Sequence, residues 1–385
     1  MDDAREGRRM HILYPVPEIL PDPRARFIQI VNTCCSLARR ECRVILCAGV
    51  RHGVPPGKVL DAYGLDAPSN LEVVRLPVLR GALSWHVPFH FAFLARAAKE
   101  PDAVVFGRYL KLTHFLLRNR WAHKRPVVFE AHEIFHKTTV RPGKAAALKA
   151  MEAYVYREAD AVITITATLA EDIAELFGRK AEKVIPDGVG SEFLKVRRRG
   201  KGSYLLYTGQ FYPWKGVEVF VRSLSDLPDQ RAVVVGGSGE VLERLKRLAE
   251  ELGVAGRVEF PGTVPHAGIR EYLEEARVAV LPNLAGGVSR FTSPLKLFEY
   301  MAAGVPIVAS DLPALREVLR DRENAVLVPP GDSEALAAGI RSLLADEALA
   351  ARIAARAREE ATGYTWEHRA GRIREVLDRL PDRGR

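Results

Sequence analysis

Two short stretches of this 385-residue chain carry side chains whose types and spacing could do chemistry. The first is Thr292-Ser293-Pro294-Leu295-Lys296-Leu297-Phe298-Glu299-Tyr300-Met301-Ala302-Ala303-Gly304. Thr292 or Ser293 suits a helix N-cap, and Pro294 suits the first helical position, where a missing N–H costs nothing. Leu295, Phe298, Met301 and Ala302 then share one face, and Gly304 ends the helix. A first turn without an acid offers N–H groups and the positive end of the helix dipole to an anion such as phosphate, with Lys296 beside them. Glu299 adds a carboxylate able to accept hydrogen bonds from sugar hydroxyls. An amphipathic helix with a local Lys–Glu pair accounts for the same pattern equally well. The second stretch, Glu130-Ala131-His132-Glu133, follows an apolar strand, at the end where active-site groups collect in α/β sheets. A histidine there can donate to a hydroxyl or orient a phosphate without acting as a base. The alternative is a histidine satisfied inside its loop. The stretch lacks the helical His-x-x-x-His spacing of a zinc site.

The elements that must position these residues alternate. Apolar strands are expected at Met10–Tyr14, ended by Pro15-Val16-Pro17, and at 43–48, 73–76, 103–106, 127–130, 161–165 and 183–185. Helical spacing falls between them, including Trp85–Ala98 and Arg108–Ala122. Residues 195–203 are basic, glycine-containing and nearly devoid of apolar side chains, which marks a linker. The alternation then restarts at Tyr204–Thr208 and continues through strands near 231–235, 258–260, 278–281, 307–309 and 325–328. Helices are expected at 215–224, 239–252 and near the end at 366–380. The expected fold class is α/β, with two Rossmann-like doubly wound domains facing across a cleft. The domains are 1–195 and 203–364, joined by the linker 196–202, with a C-terminal helix 365–385 crossing back to the first domain.

Composition is globular, with 48% hydrophobic and 27% charged residues, long enough for two cores. No run approaches the roughly 20 apolar residues of a spanning helix. The charged start Met1–Arg9 leads straight into a strand, so no secretion signal is expected. Cys34, Cys35, Cys42 and Cys47 lack paired metal spacing and read as reduced cytosolic thiols. The net charge of +9 permits nucleic acid, anionic membrane or phosphorylated substrates. No zinc-finger, RRM or helix-turn-helix pattern is present, and no nucleic-acid partner is expected.

Five segments of the second half stand in a shared order: Ile185-Pro186-Asp187-Gly188-Val189; Tyr207-Thr208-Gly209-Gln210-Phe211-Tyr212-Pro213-Trp214-Lys215-Gly216-Val217; Val233-Val234-Val235-Gly236-Gly237-Ser238-Gly239; Val258-Glu259-Phe260-Pro261-Gly262-Thr263-Val264; and Ser293–Asp311. Together they resemble the GT-B retaining glycosyltransferases of the group-1, glycogen-synthase-like (family 4 type) superfamily. The first half matches in architecture and at Glu130–Glu133. The resemblance implies a nucleotide-diphosphate sugar, UDP- or GDP-linked, as donor on the second domain and an acceptor on the first, with no cofactor and no metal. It implies His132, Lys215 and Glu299 as catalytic residues. The implied donor-binding set is Gly209, Gln210, Lys215, Gly236, Gly237, Thr263, Val264, Arg290, Ser293, Pro294, Leu295, Lys296 and Glu299. Within it, Gly209 lets backbone approach the diphosphate, Lys215 is a point charge upon it, Thr263 and Val264 offer backbone groups to the base, and Glu299 holds the ribose hydroxyls. Arg24, Arg26, Glu130 and Glu133 fall on the acceptor side.

Two positions depart from the pattern. Gln210 stands where the family places a diphosphate-binding arginine, so Lys215, Lys296 or Arg290 must carry that charge. Phe291 stands where a second glutamate often reaches the donor sugar, so that contact passes to backbone N–H groups around Gly286 and Gly287. Retention by front-face attack, in which the donor phosphate takes the acceptor proton, asks mainly for phosphate stabilisation and positioning. That suits a chain without an Asp-x-Asp metal motif. The implied role is transfer to a glycan or lipid-linked acceptor in bacterial polysaccharide or envelope synthesis. A catalytically weak nucleotide-sugar-binding protein and, behind it, a nucleic-acid-binding protein are the alternatives. The expected location is cytoplasmic. A basic segment, Arg108–Arg125, with Trp85, Phe89, Phe91 and Phe93 nearby, offers a seat on the anionic inner face of the membrane; a core helix with a solvated basic face is the alternative.

Overall fold

A computed structural model describes residues 10–79 and 86–380. The charged start, Trp85 and the tail Pro381–Arg385 lie outside them. The chain divides into two compact units: Met1–Pro186 with Trp366–Arg385, and Asp187–Thr365.

Among the described residues the first unit holds seven parallel strands: β1 His11–Leu20, β2 Arg43–Val50, β3 Leu71–Arg75, β4 Ala103–Gly107, β5 Val127–Ala131, β6 Ala161–Thr164 and β7 Lys183–Val184. Their order is β3-β2-β1-β4-β5-β6-β7. The second holds β8 Tyr204–Thr208, β9 Ala232–Val235, β10 Val258–Gly262, β11 Ala276–Leu281, β12 Ile307–Ser310 and β13 Val326–Val328, ordered β10-β9-β8-β11-β12-β13. Both sheets are doubly wound and Rossmann-like. The strands are short apolar runs rather than alternating ones because helices cover both faces. Each sheet reverses its order at one point, β1/β4 and β8/β11, where loops beyond the strand C-termini separate and leave room for a ligand.

Four local features differ from the reading of the sequence. β1 does not stop at Pro15 but runs to Leu20. It pairs with β4 only over His11–Leu13, so beyond that point one edge needs no N–H, and the proline-rich portion is absorbed with a register shift between Val16 and Ile19. The helix over 108–122 is two pieces, Leu110–Arg118 and Arg120–His123, and Arg125 is buried with its Nε donating to the His123 carbonyl. The basic stretch 195–202 lies inside the second unit, whose boundary falls at Pro186/Asp187. Arg198 donates there to the carbonyls of Ala276 and Gly304, and Arg199 pairs with Glu274 and Glu275. Arg198, Arg199 and Lys201 are held by partners that lie far along the chain, which composition does not reveal. The helix after Ser293 starts at Leu295 with Pro294 in the cap position and no side-chain cap. Ser293 Oγ instead accepts the Asp187 N–H at 3.1 Å.

The final helix, Trp366–Asp378, belongs to the first unit. Its Ala370, Ile373, Val376 and Leu377 join the core built on β1 and on helix Ala25–Arg39.

Candidate active site

In the second unit, the loop after β8 is built on glycine. Gly209 has φ 121° and donates to Val235 O at 2.9 Å. Gly236 follows β9 at φ 122°, and a Cβ there would lie 2.0 Å from Gly209 O. The loops after β8 and β9 therefore touch backbone to backbone, as side-chain-bearing residues could not. Lys215 closes the turn Pro213–Lys215, and helix Val217–Ser223 begins only after Gly216, where a Cβ would sit 1.8 Å from Pro282 O. This close approach locks the Lys215 turn to the strand end of β11.

Two ammonium groups converge on this floor. Lys296 Nζ lies 3.5 Å above the Tyr207 ring and 3.5 Å from where a Gly209 Cβ would be. It is buried, and among the described residues it has no hydrogen-bond partner. Burial, and then the charge of Lys215, push it far below the ordinary lysine value, against the pull of Glu299. Lys215, half-buried with Nζ 3.8 Å over the Trp214 ring, is pushed down by burial to about 7. Aromatic faces attract cations but do not replace the hydrogen bonds an ammonium loses on burial. An anion placed between the two lysines would offset that cost.

Glu299, one turn along the same helix, is buried and accepts a 2.7 Å hydrogen bond from His266 Nε2. Burial lowers the pKa of His266, but the adjacent carboxylate outweighs it and the net direction is upward. Thr263 is exposed, its hydroxyl donating to Gly237 O at 3.1 Å, and Val264 packs on the core beside it. Arg290 is exposed on the turn Gly287–Phe291, and Gln210 is half-buried, its carbonyl accepting from Tyr207 OH. Phe291 is buried and faces the core, so no polar group stands there.

In the first unit, β5 carries Glu130 to the sheet interior and His132 just past its end. Glu130 is fully buried. Its carboxylate is paired with Arg369 of the final helix and accepts from Gln29 Nε2 at 3.1 Å; Arg108 in turn donates to Gln29 Oε1 at 2.9 Å. Burial favours the neutral acid, but Arg369 and then His132 hold Glu130 well below the usual carboxylate range. Its assignment to the acceptor side therefore gives way: Glu130 is a buried counter-charge. His132 Nε2 lies 3.2 Å from Glu130 Oε1, and burial with the Arg108 charge pushes the imidazole down to about 4. His132 is thus neutral at ordinary pH and suited to hydrogen bonding rather than to carrying charge. Glu133 accepts from Thr138 Oγ1. Arg24 is bound to Asp22 and Glu18, and Arg26 to Glu18, so both guanidinium charges are compensated locally.

The structure thus gathers Gly209, Lys215, Gly236, Lys296 and, one turn on, Glu299 at the β8/β11 switch point, and sets His132 and Glu130 together in the first unit. Three participants escaped the reading of the sequence. His266 is 33 residues from Glu299, and Arg369 is 239 from Glu130; neither separation carries a signal. Asn283, just past β11, is fully buried, and among the described residues neither of its amide atoms has a hydrogen-bond partner. Among the described residues no three His, Cys, Asp or Glu side chains group as a metal site, and the four cysteines are buried free thiols.

Two doubly wound parallel sheets, one of them carrying a glycine-floored cation site at its switch point, define a Rossmann-like protein of the GT-B type. Comparison with known families matches residues 191–360 to "Glycosyl transferases group 1" and residues 29–188 to "Glycosyl transferase 4-like domain". The chain belongs to the group-1 glycosyltransferases. It is 35% identical over 210 residues to the phosphatidyl-myo-inositol mannosyltransferase of Mycobacterium leprae, covering 52% of this chain and 54% of that one. The chain spans about half the length of the curated relatives it matches. Among solved structures, sucrose-phosphate synthase from Thermosynechococcus elongatus superposes with a TM-score of 0.79 over 96% of this chain and 98% of that chain, at 22% identity. Anabaena HepE in complex with UDP does so at 0.76 over 96% and 100%, at 18% identity.

Proposed function

We propose that the chain is a retaining, metal-independent glycosyltransferase that moves a sugar from a nucleotide-diphosphate donor to a glycan or lipid-linked acceptor in bacterial polysaccharide or envelope synthesis. The observation that carries this is Lys296, a buried lysine without a hydrogen-bond partner among the described residues, beside Lys215 over a glycine floor. A diphosphate supplies the missing counter-charge and draws protons onto the two lysines, so that the leaving phosphate develops its charge beside two ammonium groups. Glu299 holds the ribose hydroxyls, while Gly237, Thr263 and Val264 border the base. Ser293, Pro294 and Leu295 open the helix whose uncapped first turn faces the phosphates, and Arg290 supplements the charge that Gln210 lacks. His132, held neutral with its Nε2 toward the Glu130 carboxylate, offers Nδ1 as an acceptor for a hydroxyl of the transferring sugar. Arg24, Arg26 and Glu133 border the acceptor. UDP- and GDP-sugars are the leading donors; UDP is the nucleotide in the HepE complex.

The test is release of nucleoside diphosphate from UDP- and GDP-sugars with acceptor extracts, with and without a chelator, and the anomeric configuration of the product. Chelator-resistant release with retention supports the reading. Tight nucleotide binding with no release under any condition favours instead a catalytically weak nucleotide-sugar-binding protein, which the apolar Phe291 makes the natural alternative.

We further propose peripheral contact with an anionic membrane through the first unit. Residues 107–150 contain ten Lys and Arg but only two acids, nearly the whole net charge of the chain. The face differs from the expected one: Arg108, Arg120 and Arg125 are engaged internally, and Phe89 and Phe93 are core. Lys111, Arg118 and Lys124 are exposed, as are Phe91 and Trp121 at 59% and 77%. Among the described residues no helix is long and apolar enough to cross a membrane. Co-sedimentation with phosphatidylglycerol vesicles that is lost in Trp121→Ala supports the contact; equal binding to neutral vesicles contradicts it.

A further inference from the structure

We propose that His266 is a positioning residue for the nucleotide: it holds Glu299 by one carboxylate oxygen so that the other is presented to the donor ribose. The inference rests on the reading of Glu299 as the ribose-binding residue. His266 Nε2 meets Glu299 Oε1 at 2.7 Å, while among the described residues Oε2 makes no such bond. The imidazole is itself held in place, since its ring packs 5.4 Å from that of Phe193, between centroids, and opens the turn His266–Gly268 that leads into helix Ile269–Glu275. It lies three residues past Thr263, so the loop that borders the base also fixes the group that holds the sugar of the same nucleoside.

A glutamate side chain has three rotatable bonds, and one pointed at an empty site samples several rotamers. A hydrogen bond from a packed ring removes that freedom before the ligand arrives, which is preorganisation of an acceptor for a diol. Of the neighbouring charged groups, Lys296 holds its Nζ over Tyr207, Arg270 on the next helix has its Nε donating to Ala267 O, and Glu192 adds a second carboxylate that favours the charged imidazole. Either imidazole charge state can donate from Nε2, so the role does not depend on the proton. Glutamine, with an amide N–H of comparable reach, should substitute; alanine should not.

The test is isothermal titration of His266→Ala, His266→Gln and Glu299→Ala with UDP, GDP and ADP, and with the 2′,3′-dideoxy form of whichever binds tightest. His266→Ala should weaken the ribonucleotide by about five- to tenfold, the loss of one hydrogen bond to a charged group. It should leave the dideoxynucleotide unaffected, and His266→Gln should recover affinity to within about twofold. A merely structural role would weaken both nucleotides alike. Equal loss for both forms, or unchanged or tighter ribonucleotide binding by His266→Ala, overturns the proposal. If Glu299→Ala also fails to separate the two nucleotides, or if none of the three binds the wild type, the reading of Glu299 has failed rather than that of His266 alone.

Discussion

Around His132, Glu130 is met by Arg369 and Gln29, whereas at the end of β8 Lys296 meets an aromatic ring and the repulsion of Lys215, with Glu299 pulling the other way but, among the described residues, no hydrogen-bond partner. Both sites bury charge, and they do it in opposite ways. The first is closed: its ions neutralise one another, and what it offers outward is a neutral imidazole. The second is unbalanced: burial drives both lysines toward losing their protons, and at Lys296 the charge of Lys215 adds to it. A buried ion matched by its own partners is a structural pair; a buried lysine without such a match is where an anion would be most favourable.

The contrast can be broken by removing one cation from each side. Arg369→Met strands the Glu130 carboxylate and should destabilise the first unit by about 3–5 kcal/mol in chemical denaturation. Lys296→Met should do the reverse, leaving stability equal or higher while weakening nucleoside diphosphate binding by on the order of 2–3 kcal/mol. If both variants unfold alike, the distinction between the sites is lost. His132→Ala should lower turnover by about ten- to a hundredfold with donor affinity nearly unchanged, and a change confined to affinity would make it a binding residue. Glu299→Ala should weaken nucleotide binding by about 1–3 kcal/mol; unchanged affinity would remove it from the site.

Much of this was legible in the sequence because it is local. Strand after strand announced itself as a short apolar run, and the Lys296–Glu299 helix and the Gly209–Lys215 loop are contiguous. Positions fixed by distant partners were not legible. Arg125 looks like a solvated cation until His123 takes it inward, and Glu130 looks like an active-site carboxylate until Arg369 arrives from the far end of the chain. Pro15 looks like a strand terminator, and only the pattern of neighbouring strands shows why it is not. Basic residues at 195–202 read as a linker because charge usually signals solvent; here Glu274, Glu275 and Glu347 bind them.

The most direct test is calorimetric titration of UDP, GDP and ADP from pH 6 to 9, in buffers of differing ionisation enthalpy. Lys215 sits near 7 and Lys296 is pushed well below the ordinary 10.5, so a diphosphate bound there would draw protons in. Affinity should be greatest below about pH 7 and fall as pH rises, with proton uptake visible as a buffer-dependent heat. Without nucleotide the sign is opposite: the unfolded chain holds those protons more firmly, so stability should climb between about pH 7 and 10.5. Binding of one nucleotide with uptake of protons is the predicted result. Binding of none, or binding with heats independent of buffer and affinity flat in pH, would contradict the lysine pair as the diphosphate site.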